Sequence, residues 1–137
     1  MPSKLQYVCA LDAIVRRGLH PAKRRMLLSH YKAPERTVTM AMMAKAAGYR
    51  TYSAANLQYG RLAVDIAKYG EFAFPDRRFA ISATGWWGHL PPHPSGHFSF
   101  KMHDELAAAI EEVLARWLVA RRGRILPDGT RMSTRAR

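Results

Sequence analysis

Residues Thr39 to Lys68, TMAMMAKAAGYRTYSAANLQYGRLAVDIAK, decide how this chain is read. Thr39 is a polar N-cap candidate for a short helix over Met40 to Ala47, and Gly48 can take the left-handed conformation that ends it. Ser53 can cap a second helix reaching about Tyr69, with Ala54, Leu57, Leu62 and Ile66 as an interrupted apolar stripe. Ala44 and Ala47 are small enough for close helix contact, and Met43, Tyr49, Ala54 and Leu57 can lock the two helices together. The spacing predicts a helix-turn-helix-like element that presents polar side chains on its outer face.

The chemistry at the entrance of the second helix suits a nucleic acid. Arg50, Thr51, Tyr52 and Ser53 stand at the turn, where Arg50 can meet a phosphate or a guanine edge. Asn56 and Gln58 offer amides for adenine, while Lys45, Arg61 and Lys68 add positive charge. Each residue also has an ordinary reading: Arg50 as a surface charge, Asn56 as a capping or packing residue, and Tyr52 and Tyr59 as core aromatics.

The run from Met26 to Lys68 carries a resemblance as well, centred on Ala47-Gly48-Tyr49, Tyr52 and Ala54-Ala55-Asn56-Leu57-Gln58-Tyr59-Gly60-Arg61-Leu62-Ala63. It resembles the DNA-associated module that precedes the nuclease domain in some bacterial HNH restriction endonucleases. The later tryptophans and the Phe98 to Leu114 region are more loosely similar to its ending. The resemblance implies DNA targeting and no reaction within the module. No His-Asn-His framework to hold a metal and activate water follows here; the remaining chain is arginine-rich.

Charge and size agree with a polyanion partner. The 137 residues suit one domain, and 22 Lys+Arg against 10 Asp+Glu give a formal net charge of +12. Residues 120–137 hold six Arg and one Asp, which leaves +7 on the body, so the excess belongs to the fold as well as to its end. Cys9 is the single cysteine, which excludes an internal disulfide and a thiolate-rich zinc site; a buried apolar role on a first helix is expected. No apolar run reaches the ~18 residues of a spanning helix, and Met1-Pro2-Ser3-Lys4 lacks a secretory layout, so a soluble cytoplasmic protein with no membrane partner is expected.

Elsewhere, Leu5, Val8, Cys9, Leu11 and Val15 suggest a helix broken near Gly18. Pro21 suits the first turn of another that ends before Pro34, with Met26, Leu27 and Tyr31 inward and Lys23, Arg24, Arg25 and Lys32 outward. Arg78 to Ala83 alternates like a strand, and Gly96 to Met102 offers its partner across a Trp86-to-Gly96 loop rich in Pro and Gly. Asp104 to Val119 reads as a helix with Met102, Leu106, Ile110, Val113 and Trp117 on its buried side and Glu111 and Glu112 in solvent. The expected fold is α+β, mostly helical and winged-helix-like, with a small antiparallel β wing and a C-terminal helix. Residues 1–119 would form that domain, and 120–137 a basic arm or a small hairpin with Arg121, Arg122 and Arg124 as further phosphate contacts.

Catalytic motifs are missing. His89, His93, His97 and His103 lie in a Pro-rich region whose spacing does not force convergence on a metal, so neither metal nor cofactor is expected. Gly85-Trp86-Trp87-Gly88 lacks the lysine and context of a phosphate cradle. Trp86 and Trp87 could stack an unpaired base, although alternation along a strand would send one indole into the core. The expectation is a non-enzymatic protein that binds nucleic acid, principally double-stranded DNA. The alternatives are a phage-defence or counter-defence adaptor binding an acidic protein and, behind it, a metal-dependent nuclease.

Overall fold

The computed structural model describes residues 1–87 and 99–122, with the side chains of Trp87 and of residues 117–122 outside the described part. The described residues form an α+β fold of five α-helices and one small antiparallel sheet.

Helix α1 (Lys4–Arg17) begins in a reciprocal capping box between Ser3 and Gln6 and ends at Gly18, whose φ of 94° is left-handed. Its buried face is Tyr7, Val8, Ala10, Leu11 and Ile14. That face is rotated from the expected one: Leu5 and Cys9 are exposed. Tyr7 sets the orientation because it needs both burial and an acceptor, and its hydroxyl donates to the Ala83 carbonyl at 2.7 Å.

Helix α2 (Pro21–Lys32) starts with proline in its first turn, where a missing N–H costs nothing. Met26 and Leu27 are buried and Tyr31 is half-buried, as its periodicity predicts. A short 3-10 turn at Pro34–Arg36 leads to strand β1 (Thr37–Val38). Helices α3 (Met40–Ala47) and α4 (Tyr52–Gly70) follow.

The segment expected as a strand from Arg78 to Ala83 is instead a turn and a 3-10 helix, Ala80–Ala83. Local polar bonds outcompete its apolar alternation. The Asp76 carboxylate accepts from the Arg78 backbone N–H at 3.0 Å, while Ser82 Oγ accepts from the Asp76 N–H at 2.9 Å. The first wing strand begins later: β2 is Gly85–Trp87, so Trp86 and Trp87 belong to a strand and not to the loop expected there. Glycine is needed at its start because a Cβ on Gly85 would overlap the Lys101 carbonyl.

Strand β3 (Phe100–Met102) pairs with β1 and β2, giving the order β1-β3-β2. Gly85 faces Met102 and Val38 faces Phe100 in register. Phe100 and Met102 point into the core and Lys101 out of it. Helix α5 (Asp104–Arg122) packs on α1 and buries Leu106, Ile110 and Val113. It runs three residues beyond 119; residues 123–137, including Arg124 and the expected hairpin, lie outside the described residues.

Candidate nucleic-acid interface

The α3–α4 corner is built by three local devices. Thr39 Oγ1 accepts from the Met42 N–H at 3.2 Å and starts α3. Gly48, with φ 85°, ends it, and the Gly48 and Tyr49 N–H groups both reach the Ala44 carbonyl at 2.9 Å. Four residues, Gly48 to Thr51, then make the turn. Thr51, and not Ser53, caps α4: its Oγ1 accepts from the Ala54 N–H at 3.1 Å.

Helix α4 is oriented from inside. Its buried stripe is Ala55, Tyr59, Leu62, Ala63, Ile66, Ala67 and Gly70, while Leu57, expected inside, is exposed. Two further contacts fix it to its neighbours. Tyr59 reaches His30 of α2 at 2.7 Å through its hydroxyl, and His30 Nε2 stands 3.0 Å from the Phe100 carbonyl of β3. A carbonyl only accepts, so Nε2 carries the proton and Tyr59 donates to Nδ1. Burial lowers the His30 pKa to about 4, against the opposing pull of its bond to the Phe100 carbonyl.

Sequence reasoning misses His30, although a signal is there. It lies one turn after Met26 and Leu27 on the same face of α2.

The outer face gathers most of the expected contact residues. Lys45, Arg50, Thr51, Tyr52, Ser53, Asn56 and Arg61 are all exposed on α3, the turn and the outside of α4. Gln58 is half-buried and lies off that face. Of the two tyrosines, Tyr59 is fully buried and Tyr52 is 55% exposed. Arg121 and Arg122 close α5, far along the chain from this corner, and their side chains lie outside the described residues.

The electrostatics of this face follow from where the acids are. Glu35 is the only carboxylate between Asp12 and Asp65, a stretch that holds ten Lys and Arg. Of the ion pairs among the described residues, Lys4 with Glu112, Arg116 with Asp12 and Glu112, and Arg36 with Glu111 join α1, α5 and the turn before β1, while Arg78 with Asp76 stands beside α4. Glu111 and Glu112 thus serve as exposed ion-pair partners on α5. Among the described residues, Lys45, Arg50 and Arg61 have no carboxylate within bonding distance. Three exposed cations without a carboxylate partner thus stand on α3, the turn and α4.

A groove of about 500 Å³ runs beside α4, between Asn56, Leu57, Gly60, Arg61 and Val64 on one bank and Arg78 to Ile81 on the other. Leu57, Val64 and Phe79 are 54%, 43% and 48% exposed along it.

Comparison with protein-family models, characterised proteins and solved structures finds no match to this chain. The site therefore stands on its own chemistry.

Among the described residues no three His, Cys, Asp or Glu side chains gather as metal ligands. His89, His93 and His97 lie outside the described residues, and His103 is committed to the fold. Its Nε2 donates to the Ser82 carbonyl at 2.7 Å, and its ring packs T-shaped against Trp86 at 4.8 Å between centroids. Trp86 is nevertheless 43% exposed, so its indole is half available for another contact. No helix among the described residues is long and apolar enough to cross a membrane.

Proposed function

We propose that the chain is a non-enzymatic, cytoplasmic DNA-binding protein that docks the α3–α4 corner on double-stranded DNA. The observation that carries the reading is the left-handed Gly48 turn, which sets a buried-faced α4 behind an exposed, unpaired Arg50 and Arg61. In this arrangement Lys45, Arg50 and Arg61 neutralise phosphates while the first turns of α4 enter the major groove.

The topology supports a winged-helix form of the same reading. A strand precedes α3, two follow α4, and the last of them, β3, lies between the others. That is the order in which a β2–β3 hairpin flanks a recognition helix. The resemblance of Ala47 to Ala63 to the DNA-associated module of HNH restriction endonucleases points the same way.

Fluorescence titration of a labelled duplex across salt tests the reading. Arg50→Ala with Arg61→Ala should weaken binding and lower the log-log salt slope by about 2, one for each lost phosphate contact. Unchanged affinity and slope at matched salt would reject this surface.

The apolar groove lined by Leu57, Val64 and Phe79 favours a second reading, a protein-interaction module that takes an acidic amphipathic segment. A partner retained from lysate after complete nuclease digestion would favour it over DNA binding.

A further inference from the structure

We infer that the outer face of α4 reads the C5-methyl group of a pyrimidine in the major groove, with Leu57 against the methyl and Asn56 on a neighbouring adenine. This rests on the DNA-binding reading above and adds what kind of base edge the corner recognises.

Three features of α4 carry it. Ser53, Asn56, Leu57, Gly60, Arg61 and Val64 recur at helical spacing on one side of the helix. At the centre of that side stands Leu57, 54% exposed, between a neutral amide and an arginine. An electrostatic phosphate binder has no use for a large apolar side chain there, since a half-exposed leucine forfeits about half of the free energy its full burial would release.

The second feature is Gly60, one turn beyond Asn56. A Cβ built on it meets nothing within 4 Å, so the helix wall is low and open at the point where a base edge would approach Asn56. Third, the exposure is concentrated: Leu57, Val64 and Phe79 line one groove, whose polar rim is Asn56 and Arg61 on α4 and the ion-paired Arg78 opposite them. Isolated exposed apolar residues need no explanation, but a row of them beside unpaired positive charge does.

The chemistry of the major groove then limits what Leu57 can meet. Donors and acceptors line its floor, and the one apolar group displayed is the C5-methyl of thymine, or of a methylated cytosine. The amide readout falls to Asn56, because Gln58 is half-buried and off the face. Asn56 can bridge adenine N6 and N7 in a bidentate pair. Arg61, one turn beyond Leu57, is left for the phosphate flanking these bases.

The test uses the full chain and random-sequence duplex pools copied with dTTP or dUTP, and with dCTP or 5-methyl-dCTP, in competition titrations. Loss of the methyl in the dUTP pool should weaken binding about fourfold, the worth of one buried methyl. A gain with 5-methyl-dCTP alone would place the methyl on cytosine, and a loss with dUTP alone would place it on thymine. Leu57→Ala, an exposed site whose fold is checked by its melting curve, should abolish the discrimination while still binding DNA. Arg50→Ala should instead weaken all pools equally. Binding of every pool with equal affinity by the wild-type chain overturns the methyl reading and leaves DNA binding intact. Failure to bind any pool overturns both.

Discussion

The Tyr59 hydroxyl lies 2.7 Å from Nδ1 of His30, and neither side chain is reached by solvent. Because the opposite ring nitrogen is spent on the Phe100 carbonyl, the tyrosine is the donor that Nδ1 has. One bond thus ties α4 to α2 and, through the imidazole, to the central strand. Tyr59→Phe keeps the ring and leaves Nδ1 without that donor, at an expected cost of about 1–3 kcal/mol. Urea denaturation measures it; a midpoint equal to the wild type would mean the bond contributes nothing.

His30 and His103, both buried, should make stability depend on pH. Burial lowers both His30, to about 4, and His103 below its ordinary value, so the folded chain keeps them neutral where the unfolded chain protonates them. The unfolded state then binds more protons, and stability is full above the ordinary histidine pKa of about 6.5 and falls as pH drops toward 4. One such histidine changes the unfolding constant by up to about tenfold per pH unit in that window. Denaturation at a series of pH values should show the fall, and His30→Gln should make it shallower. Parallel curves for the two proteins would show that His30 titrates normally in the fold.

Three glycines should respond to alanine in three different ways. Gly60 sits in a helix with open space around it, so Gly60→Ala should stabilise by up to about 1 kcal/mol. Gly48 has the same free space but a φ of 85°, and Gly48→Ala should cost about 1–2 kcal/mol through backbone strain alone. At Gly85 the obstacle is the backbone carbonyl of Lys101, which cannot move without disturbing β2–β3 pairing. Gly85→Ala should therefore melt lowest of the three, and any other order of melting temperatures contradicts this account.

Capping at the start of α4 distinguishes Thr51 from Ser53. Thr51→Ala removes the side-chain acceptor of the Ala54 N–H and should cost about 1 kcal/mol. Ser53→Ala, inside the first turn, should change stability by only a few tenths. Thermal melts of the two variants settle which residue begins the helix.

Where sequence reading succeeded, the determinant was local. Thr39 as cap, Gly48 as left-handed stop and Pro21 in a first turn depend on bonds within four residues, and each appears where the chain placed it. Where it failed, competing local signals looked alike. Thr51 and Ser53 can both cap, and Phe79, Ile81 and Ala83 alternate like a strand until Asp76 and Ser82 bond across them. The exposed positions of the candidate interface were legible as polar residues on a helix, but the side on which Leu57 lies was not. A stripe through Ala54 and Leu57 and one through Ala55 and Tyr59 are both helical.

The chain by itself determined that two helices meet at Gly48 and that positive charge dominates from Ala13 to Val64, since backbone conformation and formal charge are properties of the residues present. Only the tertiary structure decided which side of α4 faces out. The buried stripe of α4 includes Tyr59, whose hydroxyl must find a partner when buried, and the partner, His30, is 29 residues away. Pairings over such distances follow from packing the whole core, which no local pattern encodes.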